Sequence, residues 1–513
     1  MDVRSILRRS AALNRDRLAI VADDRQLTFG EMWQRGVRLA NGLLDLGLTP
    51  QDRLGTLEAN GLGAADTYIG AAVANLVRVP LYERNARQAH VDMLNNVGAR
   101  ALLVDEAYLA DVEGLEAEVP TLEHVIMRDA GYEVWLQSRS DVDPDPPIAE
   151  GDLYIVRHTG GTTGAPKAVP NSHRTWIACA RDYFYPLPAP VAGDVILHAG
   201  PLSHASGYWL MPLWAVGGVQ VLVAGLSADE LLDVMEREGV AYVFLAPVML
   251  ARLTRVPGAA ERDWSKTKAM LMSGAPVSED TISRARSVFG DQALYQLFGQ
   301  TETGAIAVMG PHEWFAEVPG SNPLRACGRV HPWVEIELRD DSGAAVPLGK
   351  TGEIAIRGDG QFPGFYDEPA ETAARLVDGW VLTGDVGRLD ENGYLYLVDR
   401  KKDTIVSGGF NIYPGELENA IASHPAVIEV AVFGIPHEKW GETPMAVCAV
   451  TPGESITEEE IIGLVTDRLG SYMKPTKVEL RTDLLPRSPT GKIMRRALRE
   501  PYWSGHEARI AGA

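Results

Sequence analysis

Residues 153–167 read LYIVRHTGGTTGAPK, and this stretch decides the fold. Leu153–Val156 is a short apolar run of the kind that makes a strand buried on both faces. It breaks into Thr159-Gly160-Gly161-Thr162-Thr163-Gly164-Ala165-Pro166-Lys167. The glycines let the backbone approach an anion, the threonine hydroxyls and loop N–H groups can donate to phosphate oxygens, and Lys167 supplies charge. This is not a Walker A loop, because the lysine follows Pro166 and no Ser or Thr comes after it. Taken alone, the stretch is either a phosphate cradle or a flexible Gly/Thr surface loop.

The flanking rhythm predicts an α/β fold. Upstream, Arg17–Asp24 and Gln26–Thr28 form a hairpin pattern, and Phe29–Leu46 carries apolar residues at helical spacing. Asp52–Leu57, Val77–Pro80 and Ala101–Val104 read as strands with helical segments between them. Asp141–Ile148, polar and proline-rich, reads as a surface connection. Downstream, strands are expected at Val195–His198, Val219–Val223, Tyr242–Leu245 and Ala269–Met272. Strands separated by helices imply a mostly parallel sheet covered on both faces. From about Val330 the pattern turns to antiparallel hairpins, at Glu335–Leu338, Gly352–Arg357 and Gly393–Val398. After Asp399-Arg400-Lys401-Lys402 a small α+β tail follows, with helices at Pro414–Ser423 and Thr457–Leu469 around strands Val427–Gly434 and Met445–Val450.

The chain has 513 residues with 48 Lys+Arg against 69 Asp+Glu, a formal charge of −21. So acidic a chain is a poor general partner for nucleic acid or anionic membrane, and any anionic ligand must be held by local devices. Ordinary apolar and charged fractions (46% and 23%) exclude wholesale disorder. Cys179, Cys327 and Cys448 are scattered and odd in number, which argues against a disulfide framework or a cysteine zinc site and for a cytoplasmic location. The uncharged run Gly207–Leu226 is long enough to tempt a membrane reading, but Pro212, Gly217-Gly218 and Gln220 break it into a buried helix and strand. No membrane span is expected.

Three further clusters carry possible chemistry. Gln296-Leu297-Phe298-Gly299-Gln300-Thr301-Glu302-Thr303-Gly304 combines a flat ring at Phe298 with a hard oxygen ligand for Mg²⁺ at Glu302; its bland reading is a strand end and polar turn. Thr383-Gly384-Asp385 follows a strand-like segment, and its carboxylate could accept hydrogen bonds from ribose hydroxyls, although a surface turn has the same pattern. Pro486-Arg487-Ser488-Pro489-Thr490-Gly491-Lys492 presents one lysine on a loop that otherwise reads as solvated.

Taken together and in this order, the clusters resemble the adenylate-forming superfamily of acyl-CoA synthetases, peptide-synthetase adenylation domains and luciferases. The likeness runs from Leu27–Met32 to Lys492. Thr159–Lys167 is similar to that family's phosphate loop, with Gly160 in place of a serine. Pro201-Leu202-Ser203-His204 resembles the segment whose histidine borders the acyl pocket. Ser273-Gly274-Ala275-Pro276 resembles the turn flanking adenine. Phe298 to Glu302 matches an aromatic-Gly-x-Thr-Glu motif, with Phe298 for tyrosine and with Gly299 and Thr301 in place. Asp385 and Arg400 fall where the family holds ribose. Lys402 falls at the hinge, Gly408 and Gly409 at the thiol channel, and Lys492 at the mobile catalytic lysine.

The resemblance implies a large N-terminal domain, 1–399, of layered sheets with a β-barrel-like subdomain. A hinge at 400–402 and a mobile α+β C-terminal domain, 403–513, would follow. It implies ATP, Mg²⁺ and CoA, with Lys167, His204, Glu302 and Lys492 as the catalytic set and Glu302 as the metal ligand. It implies an acid activated as its adenylate and then passed to CoA, by a monomer or homodimer. A carrier protein or an amine as acceptor, or a non-carboxylic oxyacid such as nitrite as substrate, is the alternative. Tyr242–Pro247 lacks the aspartate that would receive an amino group, which argues against an α-amino acid. Ser206, Tyr208, Phe244, Ala246, Ile306 and Ala275 would make a modest, mostly apolar pocket, suited to an aryl or short-to-medium aliphatic acid.

Overall fold

A computed structural model describes residues 1–22, 24–83, 85–159, 166–275, 277–407, 410–451, 453–454, 456–487 and 493–503, without the side chains of Lys402 and Asn411. The apolar run at 153 extends as the strand Leu153–Thr159. It lies in a six-stranded sheet whose order is His124–Arg128, Ala101–Asp105, Arg53–Leu57, Val77–Pro80, Leu153–Thr159, Lys167–Ser172. All neighbours are parallel except the last pair, an antiparallel hairpin closing at Thr159 opposite Lys167. Helices cover the sheet, so Ala101, Leu102, Leu103 and Val104 are fully buried, as an all-parallel layer requires.

A second sheet runs Leu18–Ala22, Val219–Leu222, Val195–His198, Val240–Leu245, Ala269–Met272, Leu294–Gln300, all parallel, and continues antiparallel through Gly304–Met309 and Gly328–Val330. The hairpin expected near residue 24 adds Arg25–Thr28 at its edge. Thr28 and Glu31 form a reciprocal capping box at the start of the helix Phe29–Asp45. The apolar run at 207 is the helix Gly207–Val216 followed by the strand Val219–Leu222, as its breakers imply. Among the described residues no helix is long and apolar enough to cross a membrane.

Contact density divides the chain into two compact units. The first comprises Met1–Ile336, Ile356–Val381 and Asn392–Tyr394, and the second Glu337–Ala355, Leu382–Glu391 and Leu395–Ala513. The antiparallel strands expected to be barrel-like, Val334–Arg339, Thr351–Gly358, Trp380–Leu389 and Tyr394–Arg400, stand side by side in that order as an open ladder. Closure would need the edge strand to pair back on the sheet, and no sheet among the described residues does so. In the tail, Val427–His437 pairs antiparallel with Gly441–Val450, which takes Lys477–Arg481 in parallel. The helices Pro414–Ile421 and Glu458–Leu469 supply Leu417, Ile421, Ile461 and Val465 to the core beneath that sheet.

Candidate active site

In parallel sheets the strand carboxyl ends, where connecting loops diverge, are the usual ligand crevice. The segments singled out in the first unit leave such ends. The glycine/threonine loop follows Leu153–Thr159, the Pro201–His204 turn follows Val195–His198, Ser273-Gly274-Ala275 follows Ala269–Met272, and Thr301-Glu302 follows Leu294–Gln300. Two contacts tie the ends of the two sheets together. Asn60 Nδ2 donates to the carbonyls of His198 and Gly200 at 2.8 Å each, while its Oδ1 accepts from the N–H of Leu202 at 2.9 Å. The His204 ring lies 4.4 Å from that of Tyr82.

Thr159 and Lys167 face each other across the hairpin mouth, with the Thr159 hydroxyl 3.4 Å from the Lys167 carbonyl. The ammonium of Lys167 pairs with the Glu371 carboxylate of the helix Pro369–Arg375 and sits 5.3 Å from the centre of the Phe365 ring. Gly160, Gly161, Thr162, Thr163, Gly164 and Pro276 lie outside the described residues. A phosphate held by Lys167 would have to compete with Glu371. Glu371→Gln is therefore expected to lower the ATP concentration at half-saturation about two- to fivefold, the worth of a partly exposed ion pair. Initial rates against ATP check this, and an unchanged or raised value would contradict it.

His204 bonds the Ser203 hydroxyl through Nδ1 at 2.8 Å. Burial, with the nearby Arg157 guanidinium, holds its pKa down to about 4, so the ring is neutral near pH 7. The pocket residues differ in burial. Ser206 is enclosed, with its hydroxyl on His198 Nδ1 at 2.8 Å. Tyr208 stacks on Trp176 at 4.2 Å and Tyr183 at 4.9 Å, and Ile306 is fully buried. Phe244 and Ala246 are half-buried, and Gly274 and Ala275 are exposed.

The strands Leu294–Gln300 and Gly304–Met309 form a tight hairpin with an irregularity at Phe298-Gly299. A Cβ on Gly299 would fall 2.0 Å from the Gly304 carbonyl oxygen, so backbone proximity demands glycine there. Phe298 is half-buried on this hairpin, and Thr301 and Glu302 make its turn. Phe362 N–H donates to the Glu302 carbonyl at 2.8 Å and Tyr366 N–H to that of Ala168 at 2.9 Å. The segment 362–366 therefore links the Glu302 turn to the Lys167 hairpin. The Glu302 residue is 7% exposed, yet no hydrogen bond or ion pair engages its carboxylate among the described residues. Nor do those residues contain a cluster of three metal-ligating side chains. One spare carboxylate fits Mg²⁺, which takes few protein ligands and completes its shell with other oxygens and water.

In the second unit, Asp385 and Arg400 are cross-strand partners on Trp380–Leu389 and Tyr394–Arg400. Arg400 Nε lies 2.6 Å from the Asp385 carboxylate, which is buried, whereas the arginine side chain is 41% exposed. Thr383 Oγ1 donates to the Ile354 carbonyl at 2.8 Å and accepts from the Asp385 N–H at 3.1 Å, and Gly384 turns with φ +67. This orients a carboxylate beside a cation, a pair able to accept from and donate to vicinal hydroxyls. Lys402 falls in the short helical turn Lys401–Asp403. Gly408, Gly409 and Lys492 lie outside the described residues.

Sequence reasoning passed over Tyr82, Glu371 and Arg157. For Arg157 a signal existed, a charge inside an otherwise apolar strand; Glu371 is one acid in a polar helix and carries none.

The family model described as AMP-binding enzyme matches residues 7–366, and that described as AMP-binding enzyme C-terminal domain matches 416–492. The chain is 32% identical over 501 residues to the fatty acid–[acyl-carrier-protein] ligase ScoC of Streptomyces coeruleorubidus, covering 96% of this chain and 94% of that protein. It is 33% identical over 483 residues to the feruloyl-CoA synthase of an Amycolatopsis species, covering 93% and 94%. The solved structure of ATP-bound MatB from Rhodopseudomonas palustris superposes with a TM-score of 0.89 at 25% identity, covering 98% of this chain and 99% of that one.

Proposed function

The chain belongs to the AMP-binding enzyme family of adenylate-forming ligases, and from that premise we propose that it activates a carboxylic acid with ATP and passes the acyl group to CoA. In the first half-reaction a carboxylate oxygen attacks the α-phosphorus, the bond to the β-phosphate oxygen breaks, and pyrophosphate leaves. In the second, a thiol attacks the acyl carbon, loses its proton, and AMP departs with the bridging oxygen. Two anions must meet in the first step, so positioning and charge neutralisation dominate.

The observation that carries this reading is the linked pair of turns in the first unit, with Lys167 at one and the unengaged Glu302 carboxylate at the other. Lys167 and the residues 159–164 would hold the β- and γ-phosphates, and Phe298, Gly274 and Ala275 would flank the base. Asp385 and Arg400 would take the ribose. Glu302 would hold Mg²⁺, which when bound neutralises phosphate charge. Lys492, on a C-terminal domain 403–513 that swings about 400–402, would neutralise the carboxylate and α-phosphate. Gly408 and Gly409 would then pass the pantetheine arm. His204, neutral near pH 7, adds no charge beside the incoming acid. The half-buried Phe244 and Ala246 suit an aryl or short-to-medium aliphatic acid.

A carrier-protein thiol in place of CoA is a second reading, supported by the likeness to ScoC. The test is release of pyrophosphate and AMP across a panel of carboxylates and small oxyacids, with CoA, a carrier protein or an amine as sole acceptor. The first reading expects AMP turnover and a thioester with CoA. Turnover confined to another acceptor overturns that part, and release of ADP overturns adenylation.

A further inference from the structure

We propose that Arg157 recognises an oxyanion of the acid substrate, through a buried guanidinium that the protein itself leaves without a counter-charge. The inference rests on the acid-activating reading and names how the acid is held.

Arg157 lies in the strand Leu153–Thr159 and is only 5% exposed. Its Nη2 donates to Asn171 Oδ1 at 2.9 Å and to the Tyr208 hydroxyl, and its guanidinium lies over the rings of Tyr208 at 4.8 Å and Trp176 at 5.4 Å. Its Nε has no partner, nor does Asn171 Nδ2 in the same hydrogen-bonded pair. On the neighbouring strand Arg78, 4% exposed, stands over Tyr68, Tyr154 and the same Trp176, with Nε and Nη2 unpartnered. Among the described residues no carboxylate pairs with either arginine.

Elsewhere the chain neutralises its buried guanidinium groups. Arg35 is bound by Asp66 and Glu133, Arg128 by Glu58 and Asp105, and Arg4 reaches Asp145. Aromatic faces and neutral acceptors stabilise a buried cation less than a carboxylate does, and an unpaired buried charge opposes folding. Water could satisfy the orphaned donors but not the charge. Two uncompensated guanidinium groups sharing Trp176 therefore make a positive, aromatic-walled region prepared for an anion from outside.

The position fits the acid. Arg157 acts electrostatically on both His204 and Tyr82, whose rings, 4.4 Å apart and tilted, stand at the carboxyl ends of strands from the two sheets. The titratable groups that stand nearest in effect to Arg157, Tyr208, Cys179, Tyr82 and Tyr183, are neutral near pH 7 because burial raises each of them, and none is a carboxylate. A carboxylate offered here meets the unpartnered Arg157 Nε–H, with the Asn171 Nδ2 donor of the same pair, while Nη2 stays held by Asn171 and Tyr208. The oxyanion is either the reacting carboxylate before ATP arrives or a second acidic substituent of the same molecule.

The test is thermal melting of the full chain with benzoate, butyrate, phthalate and glutarate, and with benzamide as neutral control. The melt is repeated for Arg157→Met and Arg157→Lys. At least one acid should stabilise the wild type in a concentration-dependent way while benzamide does not. Arg157→Met, melting cooperatively, should lose the response. Arg157→Lys, which keeps the charge but has no second nitrogen to stay on Asn171 and Tyr208 while donating to the acid, should need roughly tenfold more acid, and it decides the matter should the methionine variant not fold. Stabilisation by the monocarboxylates identifies the reacting group; stabilisation by the dicarboxylates alone identifies a second acidic substituent. No response in the wild type, or equal responses in the variants, overturns the proposal. Because this binding needs no nucleotide, failure of ATP-dependent turnover would fall on the proposed function and not on the anion site.

Discussion

Lys492→Ala should slow adenylate formation about 10²–10³-fold, while supplied acyl-adenylate is still converted to thioester at the wild-type rate. The size follows from removing one cation from a water-poor site where two anions are pressed together, a loss of roughly 3–4 kcal/mol from transition-state stabilisation. The two half-reactions would separate because, in the proposed scheme, the lysine serves the α-phosphate only in the first. Lys167→Ala should instead weaken ATP binding as well as slow the step, since the proposed scheme has it on the terminal phosphates in both ground and transition states. Single-turnover measurement of each half-reaction checks this. Unchanged adenylation in Lys492→Ala, with Lys167→Ala inactive, would refute the two-lysine scheme.

Acidification should unfold the protein steeply between pH 6.5 and 4. His158, His173 and His198 are at most 2% exposed, and burial holds each pKa down to about 4, from an ordinary value of 6.5. Each ring is neutral in its bonds: His198 between Ser206 and Gln220, His173 accepting from the Val3 N–H, and His158 against Asn96. The unfolded chain binds these protons from about pH 6.5 down and the folded chain only below about 4. Stability is therefore present above pH 6.5 and lost as pH falls through that window. Each histidine is worth up to about 3 kcal/mol at roughly 1.4 kcal/mol per pH unit, so three together rival a typical folding free energy. Asp399, pushed up to about 6 by burial, works in the opposite sense in the second unit. Melting curves across pH 4.5–7.5 should show net proton uptake on unfolding of the first unit, from these three rings and His204, offset in part by Glu58, Asp66 and Asp182, whose pKa values burial raises. His198→Gln should reduce this by about one. A flat profile from pH 7 to 5 would contradict the neutral, buried assignment.

The strands themselves were legible wherever local pattern sufficed, though not their order across the sheets. Runs such as Ala101–Val104 and Ala269–Met272, bounded by breakers, can only be buried strands, and the chemistry-bearing turns follow their ends. Pattern failed where partners come from afar. Lys167–Ser172 contains Pro170 and Asn171, so it does not read as a strand, yet it pairs with Leu153–Thr159 along its length. The aromatic wall around Arg157 is built from the helices His173–Phe184 and Gly207–Val216, which no periodicity brings together. Hairpins after residue 330 were visible, but whether they close into a barrel depends on long-range pairing, and they remain an open ladder. That the second compact unit takes in Glu337–Ala355 and Leu382–Glu391 likewise follows from contacts between segments distant in sequence.

The central claim, that an acid's oxygen attacks the α-phosphorus of ATP, is tested most directly by isotope transfer. An acid that supports turnover, labelled with ¹⁸O in both carboxyl oxygens, is converted with unlabelled ATP and CoA, and the products are weighed by mass spectrometry. The account predicts one ¹⁸O in AMP and none in pyrophosphate. Label in inorganic phosphate or pyrophosphate, or AMP formed without label, would contradict it.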